Sequence, residues 1–166
     1  SLAEAMSNIT TILKKAQEYE NFLRIDMENS PFTDPTIEIY HHCKTIYNNV
    51  GMVIQSYLHR SNDDILFLAN DQFNSRICKG IYKESEYIAY QDREEIQNNF
   101  LKLAKTMATQ NAYSAFATHD QELIDRLLDW ITTDKVPKDL FEFQVLYGVP
   151  MNGRLEALLG AGYKVR

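Results

Sequence analysis

Short apolar runs alternate with amphipathic stretches along the whole chain. Runs at residues 22–26, 52–58, 76–82, 113–118 and 141–147 are each bounded by polar or glycine signals, and a sixth starts at Tyr163 and stops at Arg166. Runs of that length and flanking fit strands buried in a parallel sheet. Between them the spacing turns helical. Ile39, Cys43, Ile46 and Val50 recur at three or four residues after Asp34-Pro35, so a helix is expected over 36–50 with Asp34 as cap and Gly51 as stop. Ser61-Asn62-Asp63-Asp64 opens a short helix through Leu68. Ile96, Phe100, Leu103 and Met107 form one stripe, and Leu123, Leu127, Leu128 and Ile131, after Asp120 as cap, form another. Leu155, Leu158 and Leu159 make a shorter one before Gly160, and a leading helix surrounds Ile9, Ile12, Leu13 and Ala16.

Strand-then-helix alternation predicts an α/β fold with a parallel sheet wrapped by helices. A doubly wound sheet and a (β/α)8 barrel both satisfy it. No GxGxxG follows the first strand, which argues against a dinucleotide-binding doubly wound sheet. The last strand has no helix after it, so a barrel would be incomplete at about five to six of its βα units.

Composition narrows the function classes. With 166 residues and 45% apolar content, the chain can build a core as one domain. A net charge of -6 without a basic cluster argues against nucleic acid, because phosphate binding needs grouped Lys and Arg. No apolar run nears the roughly 18 residues of a membrane span. The start lacks a signal-peptide layout and a Met, so Ser1 is expected not to be the natural start. Cys43 and Cys78 lie far apart and form no CxxC pair, which suits reduced thiols in a cytoplasmic protein.

In βα folds the ligand lies beyond the carboxyl ends of the strands, so polar residues there are the candidates. Asp26 reads as a cap or a site residue; Glu28, Asn29 and Ser30 extend a polar patch that solvation explains. Gln55 interrupts an apolar run, and a buried amide needs backbone or a ligand to satisfy it. Arg76 and Lys79 place two cations in one buried-type strand, which requires an ion pair or a bound anion. Their spacing of three puts them on opposite faces of an ideal strand. Gly80 would admit a ligand close to the backbone. Thr118 and His119 follow the fourth run, with Asp120 reading as a helix cap. Adjacent His41 and His42 point in different directions on a helix and lack a carboxylate at ligand spacing, so no metal site is expected.

Taken together, Leu23-Arg24-Ile25-Asp26-Met27-Glu28-Asn29-Ser30, Val53-Ile54-Gln55-Ser56-Tyr57-Leu58, Arg76-Ile77-Cys78-Lys79-Gly80-Ile81-Tyr82, Ala117-Thr118-His119-Asp120 and Phe141-Glu142-Phe143-Gln144-Val145-Leu146-Tyr147-Gly148 occur in an order that resembles the proline dehydrogenase family in its short single-function bacterial form. The resemblance covers nearly the whole chain; the family more often has valine at Cys78 and alanine at Ile81. It implies a TIM-type barrel binding FAD, oxidation of L-proline to 1-pyrroline-5-carboxylate by hydride transfer from proline C5 to flavin N5, and reoxidation by a membrane quinone. It implies Asp26 and Arg76 as catalytic residues. Met27, Gln55, Lys79, Gly80, Ile81, Thr118 and His119 would contact FAD, and Tyr82 and Leu146 would wall the proline pocket. A peripheral contact with the inner face of the membrane would go with the quinone.

The family's substrate lysine on the first strand, its tyrosine after the strand that stops here at Arg166, and its terminal helix with an Arg-Arg pair and a Glu have no counterpart in residues 1–166. The chain therefore reads as a partial barrel domain, weak or inactive alone. Two alternatives stand beside this: a noncatalytic truncated barrel whose exposed edges self-associate into a homo-oligomer, or a barrel enzyme for a phosphorylated substrate with Lys79 and Gly80 as its anion site.

Overall fold

The computed structural model describes residues 1–70 and 72–166. Strands β1 (Leu23–Ile25), β2 (Val50–Gln55), β3 (Asn74–Cys78), β4 (Tyr113–Ala117) and β5 (Phe141–Gln144) pair in sequence order, all parallel. Order without reversal is that of a barrel wall, whereas a doubly wound sheet reverses at its switch point. A sixth strand begins beside β5: Phe143 bridges Val165, and Arg166 N donates to the Phe143 carbonyl at 2.9 Å. The alternation predicts this α/β fold, and the strand order is that of the barrel the resemblance implies.

Helices α1 (Leu2–Glu18), α2 (Thr33–Lys44), α3 (Ser61–Leu68), α4 (Arg93–Thr109), α5 (Gln121–Thr133) and α6 (Arg154–Gly160) cover one side of the sheet. Local chemistry sets their starts. Ser1 and Glu4 close a capping box on α1, Asp92 accepts from Glu94 N and Glu95 N at the start of α4, and Asp120 caps α5 through Leu123 N.

Strand register divides the residues between two unlike faces. Facing the helices are Ile25, Met52, Ile54, Ile77, Phe116, Phe141 and Phe143, within one apolar core that includes Phe100, Leu103, Leu127 and Trp130. The opposite face presents Arg24, Gly51, Val53, Gln55, Asn74, Arg76, Cys78, Tyr113, Ala115, Glu142 and Gln144. Gly51 is needed on that face: a Cβ there would lie 2.4 Å from the Asn74 carbonyl and 2.9 Å from Arg24 Nη1.

Several boundaries differ from the sequence expectation. The third strand is shifted upstream, so Lys79, Gly80, Ile81 and Tyr82 follow it as loop. Arg76 and Lys79 therefore do not occupy opposite faces of a strand; the chain has turned before Lys79. Gly80 has φ +106, and a Cβ there would meet the Tyr57 ring at 2.3 Å, so backbone conformation and ring packing both call for glycine. Strand β2 starts two residues early and ends at Gln55, though Ser56 N and Tyr57 N still donate to the Cys78 and Lys79 carbonyls. Helix α2 begins at Thr33 and ends at Lys44, short of Val50. Asp34 does not cap it: its carboxylate takes Arg60 Nη2 at 2.6 Å instead. His42 meets Thr10 at 2.9 Å and His41 packs on Phe67, in keeping with the packing roles expected.

Candidate active site

The carboxyl ends of β1 to β4 surround a cleft of about 450 Å³, within the roughly 300–1,000 Å³ range of small-molecule sites. Asp26, Met27, Gln55, Arg76, Lys79, Gly80, Ile81, Tyr82, Thr118 and His119 all line it, with Val53 and Cys78 beneath. Leu146 stands apart on a neighbouring cleft of about 360 Å³, which shares Arg76, Thr118 and His119 with the first. The structure thus gathers the residues that the resemblance assigns to the site around two adjoining clefts, with Arg76 on their common wall.

Arg76 is held at two points. Its Nη1 donates to Asp26 Oδ1 at 2.7 Å and its Nε to Gln144 Oε1 at 2.8 Å. Among the described residues neither contact uses Nη2. The ion pair expected as the plain explanation of Arg76 is present, and it coexists with exposure to the cleft. Arg24 lies deeper on the same face, donating to the Met52 and Asn74 carbonyls and to Asn74 Oδ1. Burial, reinforced by the Arg76 charge, lowers its guanidinium to about 10.

Lys79 has a different fate. Its ammonium contacts Asp120 Oδ2, which also accepts from Gln97 Nε2 at 2.8 Å and Arg93 Nη2 at 3.1 Å. Burial alone would raise the Asp120 carboxyl, but the hydrogen bonds from Lys79 and Gln97 hold it well below the usual carboxylate range. With its charge matched at the rim, Lys79 is no unpaired anion site, which leaves the phosphate reading without its cation.

Thr118 Oγ1 accepts from Asp120 N at 3.1 Å. His119 Nε2 accepts from Leu146 N at 2.9 Å, which requires any proton on the neutral ring to sit at Nδ1. At the mouth, Tyr82 Oη donates to Glu28 Oε2, while Ser30 donates from N and Oγ to the two Glu84 oxygens at 2.7 and 2.9 Å. The patch at Glu28 and Ser30, read from sequence as solvated surface, therefore ties the loop after β1 to the loop after β3. Ile81, 87% exposed, projects beside it.

Gln55 supplies the test for a flavin. Its Oε1 is buried without a hydrogen-bond partner, although the residue lines the cleft. A buried carbonyl in that state can take a hydrogen bond from a water or a ligand. A flavin ring N–H or ribityl hydroxyl meets the need, and the mixed lining of Met27, Val53 and Cys78 against Arg76 and Gln55 suits a ring system with polar edges. Burial raises the Cys78 thiol to about 11, so it enters this lining as a neutral group. Among the described residues no three His, Cys, Asp or Glu side chains could hold a metal, and no helix is long and apolar enough to cross a membrane.

Sequence reasoning missed Glu142, Gln144, Arg24 and Asn74. A signal existed in Phe141-Glu142-Phe143-Gln144, where apolar and polar residues alternate with period two, as they do in Leu23-Arg24-Ile25-Asp26.

Residues 2–166 match the family model described as proline dehydrogenase. Proline dehydrogenase 1 of Bacillus subtilis strain 168 is 35% identical over 162 residues, covering 98% of this chain and 53% of the relative. Proline dehydrogenase of Deinococcus radiodurans is 34% identical over 163 residues, covering 97% and 52%. The chain spans about half the length of these relatives. The crystal structure of proline utilization A from Bdellovibrio bacteriovorus, inactivated by N-propargylglycine, superposes with a TM-score of 0.88 at 23% identity, over 100% of this chain and 20% of that one. Proline utilization A of Bradyrhizobium japonicum gives 0.84 at 16% identity, over 99% and 19%. The two structures support the fold, and the family match with the relatives' identities supports the descent: the chain belongs to the proline dehydrogenase family.

Proposed function

We propose that the protein carrying this chain oxidises L-proline to 1-pyrroline-5-carboxylate with FAD, and that residues 1–166 form the flavin-holding part of its barrel. The observation that carries this reading is the family match across residues 2–166. Bound FAD supplies a hydride acceptor at N5 for the hydride leaving proline C5. The Arg76 guanidinium, with Nη2 unpaired at the wall between the two clefts, provides positive charge where electron density accumulates. Asp26 orients that guanidinium and faces the same cleft. Gln55 offers its orphaned carbonyl to a flavin donor, and the backbone at Met27 and Ile81 flanks it. Thr118 and His119 complete the flavin side, Lys79 acts at the rim through its pair with Asp120, and Tyr82 and Leu146 shape the substrate side.

A barrel closed by further strands would supply the groups that grip the proline carboxylate, because fixing a carboxylate calls for bidentate arginine. This segment alone is therefore weak or inactive. A quinone acceptor and peripheral contact with the cytoplasmic face of a membrane belong to the same proposal and rest on the resemblance; homo-oligomerisation is proposed for residues 1–166 by themselves, whose sheet edges are open. Visible absorbance of the full-length protein tests the reading. Flavin bands that bleach on adding proline are expected; a colourless protein unable to take up FAD would sink it.

A further inference from the structure

Behind Arg76 the inner face carries a carboxylate that lines neither cleft. Glu142 is only 5% exposed. Its Oε1 accepts from Gln144 Nε2 at 2.5 Å and lies 3.3 Å from Arg166 Nε. Gln144 Oε1 in turn accepts from Arg76 Nε at 2.8 Å. Glu142, Gln144, Arg76 and Asp26 thus form one continuous line in which every donor faces an acceptor.

The line has a direction. A primary amide offers a carbonyl at one end and two donors at the other, and its terminal torsion is broad. Reversing Gln144 would set its carbonyl against a carboxylate and its NH2 against a guanidinium. Ionised Glu142 can only accept, so it dictates that Gln144 shows Arg76 an oxygen. Two in-plane contacts then fix a planar guanidinium. They differ in stiffness: the Asp26 side chain is 72% exposed, whereas Gln144 and Glu142 are buried. An exposed carboxylate constrains its partner weakly. The firm contact on Arg76 is the one that Glu142 organises. Burying a carboxylate is costly unless it is paired and hydrogen-bonded, and Glu142 has Arg166 and Gln144 for that.

We propose that Glu142, acting through Gln144, is a positioning residue that holds the Arg76 guanidinium with Nη2 toward the cleft. The proposal rests on the reading of Arg76 as the flavin-side cation, yet part of its test needs no flavin. In 15N-labelled full-length protein stripped of flavin, the Arg76 Nε–H signal is identified by its loss in Arg76→Lys. Its exchange with solvent is expected to quicken about tenfold in Glu142→Gln, as an ordered side-chain hydrogen bond is lost. In the holoenzyme the same variant should slow flavin reduction at saturating proline by about tenfold, and should have no further effect in an Arg76→Met background. A purely structural role would slow both backgrounds alike. Gln144→Met, which removes the amide and keeps Glu142, should reproduce both effects and decides the matter if Glu142→Gln does not fold. Unchanged Nε–H exchange, or equal losses in the two backgrounds, overturns the proposal. A protein that takes up no flavin defeats the proposed function instead, while the exchange measurement still decides the role of Glu142.

Discussion

The two faces of the sheet are built from alternate residues of the same strands, yet they are held together by different physics. On β5, Phe141 and Phe143 enter the aromatic cluster around Phe116, while Glu142 and Gln144 between them join the line of hydrogen bonds behind Arg76. The helix side is stabilised by burial of apolar area, which is non-directional and tolerant of small shifts. The inner side stores polar groups that folding alone would not select, each satisfied through directed contacts. Stability and chemistry are thus separated by a single step along the strand.

Breaking the helix side should have the largest effect. Phe116 is 1% exposed and lies 5.6 Å from Phe141, 5.7 Å from Phe143 and 6.4 Å from Phe100, centroid to centroid. Phe116→Ala is expected to cost about 4 kcal/mol in urea unfolding, from lost transfer energy and the cavity left behind. A loss below about 1 kcal/mol would show that the cluster repacks freely and that the two faces are not mechanically distinct. Arg76→Met makes the complementary break. Flavin reduction by proline in the full-length protein is expected to slow by about 100-fold, close to 3 kcal/mol, with unfolding free energy changed by less. Stopped-flow bleaching measures the rate, and unchanged kinetics would remove Arg76 from the proposed role.

The contrast between the faces also explains what the sequence disclosed. Apolar helix stripes and strand runs are local patterns, so the five strands and six helices of the described residues were each legible, although α2 ends at Lys44 rather than near Val50. Boundaries slipped where long-range contacts decide them. Lys79 looked like strand because Ile77 and Ile81 flank it, but the chain leaves the sheet where Gly80 takes a positive φ against Tyr57. Asp34 looked like a cap until Arg60, 26 residues on, claimed it. Asp26, Gln55, Arg76, Lys79, Gly80, Thr118 and His119 stood out as polar, charged or glycine positions at strand ends, whereas Met27, Ile81, Tyr82 and Leu146 were found only because the resemblance grouped them. Glu142 escaped because a lone carboxylate in an apolar run resembles an exposed strand residue, and only the register with β4 shows that its face is the inner one.

Asp120 sharpens the comparison because it serves both sides at once. From the end of β4 it caps α5 on the helix side and receives Lys79 and Arg93 on the cleft side, with its own side chain 9% exposed. Asp120→Asn keeps a capping oxygen and removes the charge. Breaking a buried pair costs more than breaking a surface one, but Lys79 is a third exposed and Arg93 mostly so, and about 2 kcal/mol at neutral pH is expected. The sign with pH follows from the depressed native carboxyl. The unfolded chain titrates near pH ~3.9, so the stabilisation is complete above that value and fades as pH falls toward the lower native one. Urea midpoints of the wild type and Asp120→Asn, measured at neutral pH and in steps below pH ~4, should therefore converge as acidity rises. A difference that stays constant across that window would mean that the variant lost packing or cap geometry rather than charge, and Lys79 would then be a cleft cation in its own right.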